Sequence, residues 1–143
     1  MKKICICILT ICTLLLTCGC GRLMEFEYMH PTDKIQTIAI VEVSFGDTVE
    51  PAQTVLCTIE DIDAFIDDFE AVDCHQRYGD PLGIKDGDVV IKITYNNGDY
   101  ELINVMARAQ CKNGNFRNYK GAYFAFDGEQ FQALLDKYLS KAN

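Results

Sequence analysis

The 143-residue chain predicts an α+β fold, with a four- to five-stranded, mostly antiparallel sheet and two helices packed on one face. Three observations carry this expectation. Apolar residues recur with period 2 over residues 35–45, they do so again over 88–106 around an Asn-Asn-Gly break, and two stretches, 62–69 and 131–139, repeat with helical spacing. The element order is β-β-α-β-β-β-α over residues 34–143, a common size for a single domain with its own core.

In the first strand Ile35, Thr37, Ala39, Val41, Val43 and Phe45 share one face, and Ile38 and Ile40 the other. Apolar residues on both faces place this strand inside the sheet. Gly46, Asp47 and Pro51 mark a turn over 46–53, and 54–58 reads as a short second strand. Thr58, followed three residues later by Asp61, predicts the start of the first helix through a capping box with Asp in the Glu/Gln position. Ile62, Phe65, Ile66 and Phe69 form its apolar face, while Asp63, Asp67, Asp68 and Glu70 form a solvated one. The acidic run is helical and lacks the alternating oxygens and central glycine of a calcium loop.

Val89, Ile91, Ile93 and Tyr95 alternate with Asp88, Val90, Lys92 and Thr94; after Asn96, Asn97 and Gly98 the alternation resumes through Tyr100, Leu102, Asn104 and Met106. Asn-Gly tolerates positive φ, so an antiparallel hairpin is expected. Residues 112–115, with Gly114, form a second turn candidate, and 119–126 returns as an aromatic strand. Asp127 caps the last helix with Gln130 in the reciprocal position. Phe131, Leu134, Leu135, Tyr138 and Leu139 give it an apolar stripe, and Lys137 and Lys141 complement its carboxyl end. With both helices on one face, the other face of the sheet is expected to be solvated or open to a partner.

Residues 1–21 read MKKICICILTICTLLLTCGCG. Lys2 and Lys3 precede an uncharged, mostly apolar run over 4–16, which as a helix covers about 20 Å, short of the roughly 30 Å needed to span a bilayer. A small-residue, cysteine-containing stretch follows at 17–21. On these residues the segment resembles a bacterial lipoprotein signal, cleaved after Gly19 with Cys20 lipidated. Cys18, with Leu15 three residues before it, is the alternative site, and an ordinary secretory signal or uncleaved anchor is the other reading. The resemblance implies a diacylglyceryl group and palmitate-type chains. They would hold residues 20–143 on the extracytoplasmic face of a cell membrane without a spanning helix. Residues 20–33 are expected to be the lipidated cysteine and a tether, whose 21–33 portion reaches about 45 Å when extended. His30 then falls outside the fold.

Without Lys2 and Lys3, 11 basic residues face 21 acidic ones, a formal charge of −10. Such a surface repels nucleic-acid phosphates and disfavours lying flat on anionic lipid. Five of the eight cysteines belong to the signal region, leaving Cys57, Cys74 and Cys111. An oxidising compartment permits one disulfide, with Cys74 and Cys111 the preferred pair because both fall near expected loops; three separate thiols are the alternative. Cys74 and His75 alone do not compose a four-ligand metal site, and no cofactor is expected.

No GxSxG, HExxH, P-loop or GxGxxG motif occurs. Cys74 and His75 are adjacent on an extended segment and point apart, a poor nucleophile–base couple. Asp80, Asp86, Asp88 and Asp99 are candidate hydrolytic carboxylates, each equally accounted for by turn propensity. The loop 73–87, with Arg77 and Tyr78, and the tyrosines Tyr119 and Tyr123 form a candidate binding surface, since Tyr joins contact area to a polar tip.

A β-branched first strand, an acidic helix, the Tyr95-Asn96-Asn97-Gly98 hairpin and the FxxLLxxYL pattern from Phe131 to Leu139 resemble small Gram-positive lipoproteins of unknown function. No activity transfers with these generic devices. The expected function is a non-enzymatic, lipid-anchored extracytoplasmic module that binds a protein, peptide or cell-envelope ligand. The alternatives are a small envelope hydrolase using carboxylates or His75, and an inhibitor or immunity-type lipoprotein.

Overall fold

The computed structural model describes residues 23–77, 83–119 and 124–141. The elements are β1 (Ile35–Ser44), β2 (Ala52–Thr58), α1 (Ile62–Glu70), β3 (Cys74–Gln76), β4 (Val89–Tyr95), β5 (Tyr100–Asn104), β6 (Ala107–Lys112), β7 (Asn115–Tyr119), β8 (Phe124–Phe126) and α2 (Gly128–Leu139). Together they make an α+β fold. Six antiparallel strands run in the order β2-β1-β4-β5-β6-β7, and β3 and β8 form a separate antiparallel pair. Among the described residues, no helix is long and apolar enough to cross a membrane.

The large sheet exceeds the expected four or five strands because Ala107 to Lys112 and Asn115 to Tyr119 both pair into it. Ala, Arg, Gln and Lys dominate β6, so its intrinsic strand signal is weak; pairing with β5 on one side and β7 on the other makes it a strand. The aromatic segment 119–126 is divided: Tyr119 ends β7, and Phe124 to Phe126 pairs with β3. At the β6–β7 turn Asn113 has φ 52° and Gly114 φ 75°, as a two-residue hairpin turn requires. Gly98, φ 85°, closes the β4–β5 hairpin by donating to the Tyr95 carbonyl at 2.9 Å.

β1 lies between β2 and β4, in keeping with its apolar residues on both faces. On one face Ile38, Ile40, Ile91, Ile93 and Ile103 pack with Phe65 and Phe69 of α1 and Phe131, Leu134 and Leu135 of α2, so both helices cover the same side. The opposite face departs from the expectation of an open surface. Val41, Val43, Val90, Leu102 and Ala109 form a second buried cluster there, roofed by Ile84. The roof is held because Asn118 of β7 accepts from the Ile84 amide at 3.0 Å and donates to its carbonyl at 2.9 Å. Gly83 makes this approach possible, since a Cβ there would sit 3.0 Å from the Asn118 side-chain oxygen.

Two helix starts refine the capping expectations. Thr58 remains in β2, paired with Ala39, and Asp61 caps α1 by accepting from the Ala64 amide at 3.0 Å. Asp127 caps α2 through the Gln130 amide at 2.9 Å. The Gln130 side chain does not return to the cap: it accepts from the Asp73 amide at 2.7 Å and donates to the Asp73 carboxylate at 3.0 Å, tying α2 to β3. Of the acidic face of α1, Asp68 is not merely solvated. It accepts from Lys137 and Tyr138 of α2, both at 2.6 Å, and these hydrogen bonds hold its carboxyl below the usual carboxylate range.

Candidate binding site beneath the N-terminal strap

The expected tether is part of the fold from Leu23 onward. Leu23 bridges His75 of β3, and the Met24 amide donates to the Cys74 carbonyl at 2.8 Å, so the chain enters alongside the small sheet. Met24, Phe26 and Tyr28 then turn toward the helix-side core while Glu25 and Glu27 are exposed. This is the period-2 alternation of a half-buried extended segment, legible in LMEFEYMH once the segment is not assumed to be a linker. The Phe26 ring meets the rings of Phe69 and Phe124 edge to face, each at 5.3 Å.

This N-terminal strap, residues 23–30, ends on a buried polar network. Glu101, fully buried on β5, accepts from the Tyr95 hydroxyl, the Met29 amide at 3.1 Å and the Arg108 guanidinium, whose Nε lies 2.8 Å away. Arg108 also lies over the Phe26 ring, 5.0 Å from its centroid. Burial, with the nearby Glu101 charge second, pushes the Tyr95 hydroxyl far above its ordinary pKa and keeps it a neutral donor. One residue on, His30 Nε2 sits 2.8 Å from the carboxylate of Asp99, which also accepts from the Asn113 amide at 2.8 Å and the Asn97 side chain at 2.9 Å. His30 is thus a clamp between the strap and the β4–β5 turn, not a residue outside the fold.

Between strap and α1 lies a cavity of about 440 Å³. Phe26, Tyr28, Phe69 and Phe126 supply aromatic walls, and Glu25 and Glu70 supply carboxylates. The Tyr28 hydroxyl donates to Glu70 at 3.3 Å. Cys74 also lines the cavity, and burial pushes its thiol up to about 11, so it stays protonated and unreactive near neutral pH.

The expected Cys74–Cys111 disulfide is corrected: Cys57, Cys74 and Cys111 are all buried free thiols. Cys74 belongs to the core under the helices and Cys111 to the cluster on the opposite face, so the sheet separates them. The expected surface of Arg77, Tyr78, Tyr119 and Tyr123 is met only in part by the described residues. Arg77 follows β3 and is half-buried, Tyr119 ends β7, and Tyr78 and Tyr123 lie outside the described residues, as do Cys18, Cys20 and Asp80. Asp86 accepts the amide of Phe45, just past β1, at 2.8 Å and so holds the loop there, while Asp88 accepts the Lys85 amide at 2.9 Å within the loop itself. His75 and Cys74 occupy successive positions of β3 and so project to opposite sides.

No family model matches the chain, and comparison with curated proteins and with solved structures gives no significant match to either.

Proposed function

We propose that the protein is a lipid-anchored, extracytoplasmic binding module of the bacterial cell envelope whose ligand site is the cavity between the strap and α1. The observation that carries this reading is the cavity itself. Its volume of about 440 Å³ is within the range of small-molecule sites, and it combines aromatic walls with a few polar groups. Packing of the strap from Leu23 bears on where an anchor at Cys20 would hold the cavity. If Cys20 carries the lipid, only Gly21 and Arg22 separate it from the packed chain, a reach of about 11 Å. The cavity mouth then sits at the membrane surface, not at the end of a long tether.

The test combines metabolic labelling with site-directed photocross-linking in native membranes. Labelled palmitate should enter the wild-type chain and be lost in Cys20→Ala; label persisting in that variant would move the anchor to Cys18. A photoreactive residue at Thr32, which lines the cavity, should give a discrete adduct that the same residue at Val49, far along the chain and exposed, does not give. Identical products from the two positions would contradict the assignment of the site.

A further inference from the structure

We infer that the cavity beneath the strap takes an organic ammonium ion; this rests on the reading of that cavity as the ligand site. Glu25 and Glu70 bring two carboxylates to it, and none of its described lining residues is basic. The neighbouring Arg108 does not offset them, because its charge is already paired with Glu101. One wall of the cavity, the Phe26 ring, already carries a cation on one side, the Arg108 guanidinium 5.0 Å from its centroid. Tyr28, Phe69 and Phe126 complete the aromatic lining, and of these Tyr28 is the ring left partly exposed at the cavity.

The chemistry selects among ligands. An ammonium group with an alkyl body gains ring-face attraction, charge pairing and apolar burial together. A neutral body of the same shape gains only the last, and an anion meets two carboxylates. Both carboxylates are on exposed residues, so a cation pairs with them without a buried charge having to be created first. Tyr28 remains a neutral, electron-rich ring because burial, and then Glu70, push its hydroxyl well above the ordinary range.

The experiment titrates the full chain, purified in an uncharged maltoside detergent, with choline, n-butylammonium and 3,3-dimethyl-1-butanol, the uncharged carbon isostere of choline. The NMR signals of the Tyr28 and Phe69 rings report occupancy. Choline or n-butylammonium should shift both saturably, with a Kd at least about tenfold below that of the alcohol, equivalent to about 1.4 kcal/mol; the stronger of the two cations distinguishes a quaternary from a primary ammonium source. Glu25→Gln with Glu70→Gln should remove that advantage and leave the alcohol unaffected, in a protein whose melting temperature shows it folded. Equal binding of choline and its isostere overturns the ammonium assignment while leaving the cavity as a site. Absence of binding by all three overturns both.

Discussion

The backbone amide of Met29 donates a 3.1 Å hydrogen bond to Glu101, a fully buried carboxylate 72 residues further along the chain. Through this bond, and the Arg108 pair beside it, the N-terminal strap is fastened to the middle of the sheet. A buried ion pair is weak evidence of net stabilisation, yet removing one partner leaves the other uncompensated. Glu101→Ala should therefore cost about 3–5 kcal/mol in urea unfolding. Glu101→Leu combined with Arg108→Met should recover the part of that loss due to the stranded guanidinium, while the Tyr95 hydroxyl and Met29 amide still lack their acceptor. A single variant as stable as wild type would show that the network does not hold the strap.

Asp99 gives the fold a specific acid sensitivity. Hydrogen bonds from the Asn113 amide and then from His30 hold its carboxyl below the usual carboxylate range. Its folded value lies below the unfolded value of about 3.9. The stabilisation is therefore present above that pH and is lost as pH falls through the folded value. Asp99→Asn should melt lower than wild type at pH 7, and the two melting curves should converge as pH falls below the unfolded value of about 3.9 and through the lower folded one. Curves that stay parallel over this range would remove Asp99 from the acid transition.

Aromatic packing should be sensitive to truncation on both sides of the strap. Leu135 is buried between α2 and the sheet, and Leu135→Ala should cost about 2–5 kcal/mol. Phe26 is half-buried, so Phe26→Ala should fall near about 3 kcal/mol, the lower end for a core phenylalanine. An unchanged denaturation midpoint for Phe26→Ala would mean that its edge-to-face contacts with Tyr28, Phe69 and Phe124 add nothing to the folded state.

Three thiols should be countable in a protein lacking the signal region and Cys20. Cys57, Cys74 and Cys111 are buried and unpaired, so a thiol reagent at neutral pH should react slowly with the native protein and with all three after denaturation. Reducing and non-reducing intact masses should agree. A difference of two hydrogens would establish a disulfide and require the two core clusters to rearrange.

The fold class was legible because its strongest signals are periodic. β1, the β4–β5 hairpin and the apolar faces of both helices follow directly from residue spacing, and Asn113-Gly114 follows from turn chemistry. β6 was not, because alternating small and polar residues acquire strand character from their neighbours on both sides. The second core was hidden for a related reason: Ile84 sits in a segment without periodicity, and its burial depends on Asn118 gripping its backbone.

The candidate site is obscured by where its residues fall in the chain. Phe26, Tyr28 and His30 directly follow a signal-like segment, and that placement suggested a linker although Met24, Phe26 and Tyr28 alternate with acids. The partners that order them, Cys74, Asp99 and Glu101, are long-range and carry no local mark in the sequence. Tertiary hydrogen bonding and ring packing decided the conformation of a segment whose local propensities are weak.

Native-state amide exchange at Met24 and Met29 bears most directly on the strap and on the cavity it closes. Their amides donate to the Cys74 carbonyl and the Glu101 carboxylate. In the folded protein both should exchange at least about 100-fold more slowly than in an unstructured peptide, as locally protected amides do. Exchange of both at the peptide rate, with Ile93 in the central sheet still protected, would mean that the strap is detached and that no cavity exists beneath it.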